Sequence, residues 1–539
     1  MRLESDAASG EKNKLQIEEE SSKVCTKSVD DFLKLSWYNF TAVLSSEFVF
    51  FNMLCNMVYM MYGGVAPIVK SCGNIYANET GADICDRYDM WRPQNECVPE
   101  LEYQFLSVNV EFDYLCGEGK AVKTSTSIQM LGILAGTIFF GQMSDSYGRR
   151  TVLLISSTTA VLVGGISSFA GSLWTMTAWR FLAGFFAGGE LIVIMVYNME
   201  ITPKQHRLWI STITTFSPNF ILMAVLAYYT HDWRDFARGI SIVSMPVVAL
   251  VYYTVESPRW LFQKGKTDEL RKALRRIRGK AVEDAKTEIE LEQMLAESKR
   301  VANDDDNEKQ HYAYHLFYTW ELFTYSCVIG IGMFVTSIIN YGLLFNIENL
   351  SGSIYLNSIF FGIFRWILNI AAGAIDYFVP AVGRKVLHFF SVAFIAVCIA
   401  INFVVFAFEL NEFHFLIRYC ALAAAAMCAQ LYLTKTLAMV ELYPTAIRNI
   451  ATSTMGILSR IGNTLAPQLF YLGEIWIPLP YLTMALLALW DLLNFQIFLP
   501  ETKGKPLKDH LPGPEECIWR RKHKPTTAST NENTKENAV

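Results

Sequence analysis

Charge is what this sequence is short of. Asp, Glu, Lys and Arg make up only 18% of the 539 residues, against 52% apolar and 14% aromatic, which points away from an ordinary soluble domain and toward a polytopic membrane protein. A net charge of -5 and a pI near 6.0 leave no basic field for nucleic acid, so a nucleic-acid partner is not expected. The chain also lacks an HExxH pair, a P-loop and a GxSxG elbow. No enzyme, cofactor or metal site is therefore expected.

What is abundant is apolar length. Stretches of about 20 residues, enough for a helix to cross roughly 30 Å of hydrocarbon, begin near Phe48, Thr124, Leu153, Thr175, Leu208 and Ala237, and again near Leu322, Gly352, Val386, Phe415, Thr454 and Leu479. They predict an all-α protein with twelve transmembrane helices. Residues 1–47 are too polar for a cleaved signal peptide, which makes the first helix an internal anchor. One set of connections carries Arg149, Arg150, Lys204, Arg207, the charged segment 256–321, Arg384, Lys385, Arg448 and the tail "WRRKHK". Among the opposite short connections only Arg234 is basic, so both termini are placed in the cytosol.

The first external connection, 70–123, is the long one. It holds Cys72, Cys85, Cys97 and Cys116, which suggest two disulfides with three possible pairings, and the glycosylation sequon "NET" at Asn78. "NLS" at Asn349 also falls outside, close to the membrane.

The chain repeats itself. "EITPKQHR" (200–207) and "ELYPTAIR" (441–448) share E-x-x-P-x-x-x-R, "GRR" at 148 returns as "GRK" at 383, and "WRFLAG" and "IRYCAL" place Arg180 and Arg418 on the fourth helix of each half. Duplication of a six-helix unit explains all three pairs. The expected division is a cytosolic segment 1–47, a first bundle 48–255, a charged helical linker 256–321, a second bundle 322–500 and a polar tail 501–539.

"GQMSDSYGRR" stands where the second helix meets the third. Asp145 and Arg149 are spaced to pair across helix ends, and a bundle that rocks between two states needs pairs that make and break. The motif resembles the loop signature of the major facilitator superfamily. With "EFDYLC", "ESPRWL", "NYGLLFNIENLSGSIYLN", "ELYPTAIRN" and "LPETKGKPL" the chain resembles, from the first helix to about residue 510, the organic cation, organic anion and carnitine transporter family. That resemblance implies two six-helix bundles around a central cavity and alternating access. It also implies gating roles for Asp145, Arg149, Arg150, Glu200, Arg207, Glu256, Arg259, Arg384, Glu441 and Arg448. The external loop of the family usually holds more than four cysteines, so its disulfide pattern is not transferred.

Substrate charge is read from charges inside the membrane, which normally face a cavity or a partner. Arg365 is far from both ends of span eight, and Arg460 sits several residues into span eleven. Lys435 either snorkels to the cytosolic surface or faces the interior. Asp491 is the one acid at comparable depth in that half, either their partner or turned elsewhere. Unneutralised arginines would bind a carboxylate or sulfate through two parallel hydrogen bonds. Within the resembled family, cation carriers place an acid where Arg460 stands, and anion and carnitine carriers place arginine. Arg365 replaces a commonly acidic residue, whereas Asn369 stands where anion carriers have a base. Glu190 in span four has three readings: paired to a base, binding substrate or proton, or facing lipid. Tyr341, Phe345, Tyr432 and Trp366, with Phe51, Tyr59 and Tyr62, are candidate aromatic walls of the cavity.

The expectation is a plasma-membrane carrier of small organic ions favouring anions, with the lipid bilayer as partner and a counter-ion or exchanged substrate as a candidate one. The alternatives are an organic cation or zwitterion carrier, and a receptor or scaffold that kept the fold without transport.

Overall fold

The computed structural model describes residues 29–33, 36–72, 75–76, 99–203, 206, 216–278, 292–296, 313–379 and 382–503. Asn78, Cys85, Cys97, Lys204 and Arg207 lie outside these, as do the first 28 residues and the tail from 504. Cys116 is held in a disulfide.

Twelve helical spans follow one another. The first half contains Trp37–Met57 with its continuation Met60–Gly63, then Lys120–Tyr147, Arg149–Ile166, Leu173–Ile201, the described part Phe216–Thr230 of the fifth, and Trp233–Ser244 with Pro246–Tyr253. The second half contains Trp320–Phe345, Ile354–Phe378, Arg384–Ala407, His414–Leu442, Thr445–Leu465 prolonged by the 3-10 segment Ala466–Glu474, and Leu479–Phe498. The sixth span breaks at Pro246, whose ring removes a backbone donor from the helix. Ten of the described helices are long and apolar enough to cross a membrane by length and composition. The helix Phe216–Thr230 is apolar but shorter, at 15 residues. The eleventh falls short because it carries Arg448, Asn449, Arg460 and Asn463.

Two starts differ from the expectation. The first helix begins at Trp37, ahead of Phe48, and the eleventh at Thr445, ahead of Thr454. In both, polar residues near the start hide the first two or three turns of the helix from a reading based on apolarity.

Close approach of the second and fourth spans depends on glycine. A Cβ on Gly184 would lie 2.6 Å from the Gln129 carbonyl, and Gly132, Gly136 and Gly188 press on the backbone of the facing helix in the same way. Outside the membrane, β1 (Ile68–Cys72) pairs antiparallel with β2 (Ile75–Tyr76) and β3 (Pro99–Glu102), giving the first external connection a small sheet. Arg234 is fixed by Glu111 (NH2 to Oε1, 2.6 Å) and by the carbonyls of Ser168 and Ala170.

The halves are joined at the end that carries the small sheet. The Gln104 carboxamide donates to the Gly352 carbonyl (3.1 Å) and accepts from the Ile354 amide (3.0 Å), and the Tyr355 hydroxyl donates to the Gln104 carbonyl (2.9 Å). Tyr471 donates to the Lys120 carbonyl (2.7 Å), and Gln468 donates to Ser127 (2.9 Å).

Candidate functional site

Span eight carries Arg365 11 residues after Ile354 and 13 before Phe378, about 16 and 20 Å from its two ends at the α-helical rise. Its guanidinium lies 5.7 Å from the Phe216 ring, 5.8 Å from Phe220 and 6.0 Å from Phe361. Phe216 and Phe220 belong to span five, so the cation sits between the halves, faced by π-systems. The groups that act on its charge are Tyr341, Cys428 and Tyr432, two phenols and a thiol with no carboxylate among them. Its Nε is buried without a hydrogen-bond partner.

Arg460 stands 15 residues after Thr445, about 22 Å along the helix. This is further along the helix than a start at Thr454 implied. Tyr341 lies within the field of both Arg460 and Arg365. Its hydroxyl points at Met57 Sδ in span one (3.3 Å), again across the halves. Tyr432 donates to Ser337 (2.6 Å), which pairs with Ser459 (2.7 Å), next in sequence to Arg460. With its amide turned to satisfy both neighbours, Asn463 accepts from Arg460 NH1 at 3.2 Å. The structure thus brings together Arg365, Arg460, Tyr341 and Tyr432: two guanidinium groups, phenols and hydroxyls at mid-depth between the halves.

The other expected contacts are elsewhere. Lys435 is fully buried, and its ammonium donates to Asp491 (2.7 Å), the Gly332 carbonyl (2.7 Å) and Thr336 (2.8 Å). All three of its protons are used, so both the snorkelling and the substrate-contact expectation are corrected. Asp491 is engaged by Lys435 and by His388 (3.5 Å), and is therefore not the partner of the arginines. Glu190 is completely buried and accepts from Asn52 (2.8 Å). This corrects the lipid-facing reading, and the expected basic partner is replaced by a carboxamide. Phe345 packs 6.0 Å from Tyr341, while Trp366 is 36% exposed and turned off the buried face of span eight. Tyr59 and Tyr62 are packed rather than wall-forming. Tyr59 donates to the Trp233 carbonyl (2.6 Å), and Tyr62 stacks near Tyr355.

At the end away from the small sheet each half closes its own charge cluster. In the first, Arg149 pairs with Asp145 (2.7 Å) and Glu200 (3.4 Å). Glu256 accepts from the backbone amides of Arg149 (2.7 Å) and Arg150 (2.9 Å), and Arg150 donates to the Tyr252 carbonyl (2.5 Å). Gly148, at φ 100, lies against this carboxylate, where a side chain would collide. In the second, Arg384 pairs with Glu441 (3.0 Å) and Asp376, and Glu501 accepts from the amides of Arg384 (2.8 Å) and Lys385 (3.1 Å). Asp376 and Glu501 were missed from sequence, although "D…GRK" repeats the "DSYGRR" pattern and "PET" follows the last span as "ESP" follows the sixth. Arg448 turns back to the Tyr443 carbonyl (3.3 Å) rather than to Glu441, and Arg259 sits on the short helix Pro258–Gln263.

Duplicated six-helix halves, joined at one face and carrying matched charge clusters at the other, define a membrane transporter of the major facilitator type. The family of sugar (and other) transporters matches residues 102–510. The chain is 30% identical over 425 residues to an organic cation transporter-like protein of Drosophila melanogaster, covering 74% of this chain and 71% of that one. It is also 30% identical over 441 residues to solute carrier family 22 member 6-A of Xenopus laevis, covering 78% and 75%. The proton:xylose symporter XylE superposes with a TM-score of 0.61 at 17% identity, over 88% of this chain and 98% of that one, a likeness of fold alone. The chain belongs to the organic cation, organic anion and carnitine transporter family of the major facilitator superfamily, whose members are transporters and not enzymes.

Proposed function

We propose that this multi-pass membrane protein carries small organic anions by alternating access, with Arg365 and Arg460 as the substrate's charge partners. The observation that carries the reading is that, among the described residues, no carboxylate is found with the groups acting on Arg365, while Asp491 of the same half is spent on Lys435 and His388. Charge buried at mid-membrane is costly without a counter-charge, and a substrate carboxylate or sulfate supplies one to a guanidinium fork. Phe216, Phe220 and Phe361 offer the same substrate an apolar and π-rich wall.

A second reading, organic cation transport, is favoured by the names of two Drosophila relatives. It would require Glu190, now sealed from solvent, to reach substrate. Radiolabelled uptake into vesicles, run with matched carboxylate, ammonium and zwitterion probes, separates the two. Carboxylate uptake lost in Arg460→Asp supports the anion reading, and carboxylate uptake untouched by that change rejects it. Absence of flux with every probe would favour the non-transporting scaffold. The plasma membrane as location, cytosolic termini, a glycan on Asn78 and an exchanged counter-ion belong to this same reading.

A further inference from the structure

Where the external seal closes, residues of both halves surround a small cavity. Gly64 and Lys123 line it from the first half, and Phe345, Asn346, Glu348 and Phe470 line it from the second. Glu348 lies just beyond the seventh span, in the 3-10 turn Ile347–Asn349, and its carboxylate accepts from the Ala66 backbone amide across the interface. From the second span Lys123 faces it, with its ammonium also 6.0 Å from the Tyr471 ring. Lys120 begins that helix, and Glu118 lies in the 3-10 turn just before it.

Alternating access parts the halves at this seam, so Glu348 moves from a half-sealed cavity into water each time the gate opens. We propose that Glu348 is a proton-binding latch: a proton taken up from the external side holds the gate shut, and its loss favours opening. Burial in the shut gate pushes the carboxyl up to about 7 against the pull of Lys123 and the Ala66 amide. An open gate returns it to the ordinary value. The shut state therefore binds more protons between those two values and gains stability as pH falls through about 7; above it, the ionised carboxylate favours opening. With about 7 shut and 4.5 open, the open-to-shut ratio drops at most about 30-fold from pH 8 to 5.5, and roughly tenfold or less once solvent screening in the half-open cavity is counted.

The latch rests on alternating access but not on the substrate, and its test uses none. Keto amino acids at the exposed Tyr103 and Ser351, neighbours of the bonded Gln104 and Gly352, accept spin labels without touching native cysteines. Pulsed electron–electron distances in lipid nanodiscs at pH 8 and 5.5 then report the gate directly. The expected result is a long-distance population that shrinks on acidification and loses this pH dependence in Glu348→Gln, which stays shut. Lys123→Gln, which removes the opposing positive charge, should move the switch to higher pH and keeps the test decisive if E348Q fails to fold. A wild-type distribution unchanged by pH, or an unchanged switch in E348Q or K123Q, overturns the proposal. Loss of anion uptake with the switch intact would instead count against the substrate reading alone.

Discussion

The two halves share a plan, yet one buried arginine in each meets opposite surroundings. In the first, Arg180 is almost fully buried, donates to the Asn56 carbonyl (3.0 Å) and to the side chains of Asn56 and Gln129 (3.4 Å each), and lies 3.8 Å over the Tyr59 ring. Asn56 continues to Asn52 (3.1 Å), and Asn52 to Glu190 (2.8 Å), so a guanidinium and a carboxyl group are linked through two carboxamides. In the second, Arg365 meets phenyl rings and phenols but no acid. A charge whose bonds are met by its own half serves structure; one left facing the other half is available to a ligand. The contrast teaches that repeat symmetry conserves helix positions and gate clusters more strictly than it conserves what the cavity walls do.

The comparison breaks most visibly if both arginines of the second half are neutralised. Arg365→Gln with Arg460→Gln should lower carboxylate uptake per folded transporter by about 100-fold or more, since charge-assisted bonds to an ionised ligand are worth about 1.5–3 kcal/mol each. Thermal stability in detergent should change little or rise, because an unpaired buried charge is removed. Next in size is Lys435→Met, which strands Asp491 and should cost about 3–5 kcal/mol. The double change Lys435→Met with Asp491→Leu should recover most of it. Thermal unfolding of the single and double variants checks the coupling. Arg180→Met leaves the Asn56 and Gln129 acceptors unmet and should cost about 1–3 kcal/mol for each that water cannot reach. Carboxylate uptake per folded molecule should survive, and its loss would place Arg180 with the binding residues and erase the contrast.

Much of this was legible in the sequence for reasons that are physical. Span count and the repeat follow from apolar length and from motifs at matched offsets, and Arg365 could be placed because its helix is apolar at both ends. Arg460 was placed too shallow: "TAIRNIATS" is polar, so it reads as a connection, yet Pro444 caps it and Thr445 already begins the helix. Polar turns are tolerated where a helix lines a cavity rather than lipid, a distinction that hydropathy does not make. Asp491 was legible as a possible partner for the cations of that half, but that it meets Lys435 and not the arginines was not, because the two lie 56 residues apart and no periodicity links two helices that meet only in three dimensions. The carboxamide answer to Glu190 escaped for the same reason, since a buried acid suggests a base while Asn52 carries no charge to flag itself.

The smallest expected effect concerns the feature the halves hold in common. Glu256 and Glu501 each cap the backbone amides that open the third helix of their half, a position where the helix dipole favours a carboxylate by about 0.3–1 kcal/mol. For Glu501, partial burial pushes the carboxyl up, but the amides of Lys503, Arg384, Lys385 and Thr502 outweigh it and hold it below the ordinary carboxylate range. Its contribution is therefore complete above about 4.5 and fades only as pH falls through the lower value reached in the folded chain. Acidification to about pH 6 on both faces of the membrane should leave the Glu501 cap intact while the Glu348 latch responds. Glu501→Gln tests the first half of that claim: it should lower stability by about 1 kcal/mol equally at pH 6 and pH 8. A loss confined to one of those values would show that the two capping carboxylates are not equivalent devices.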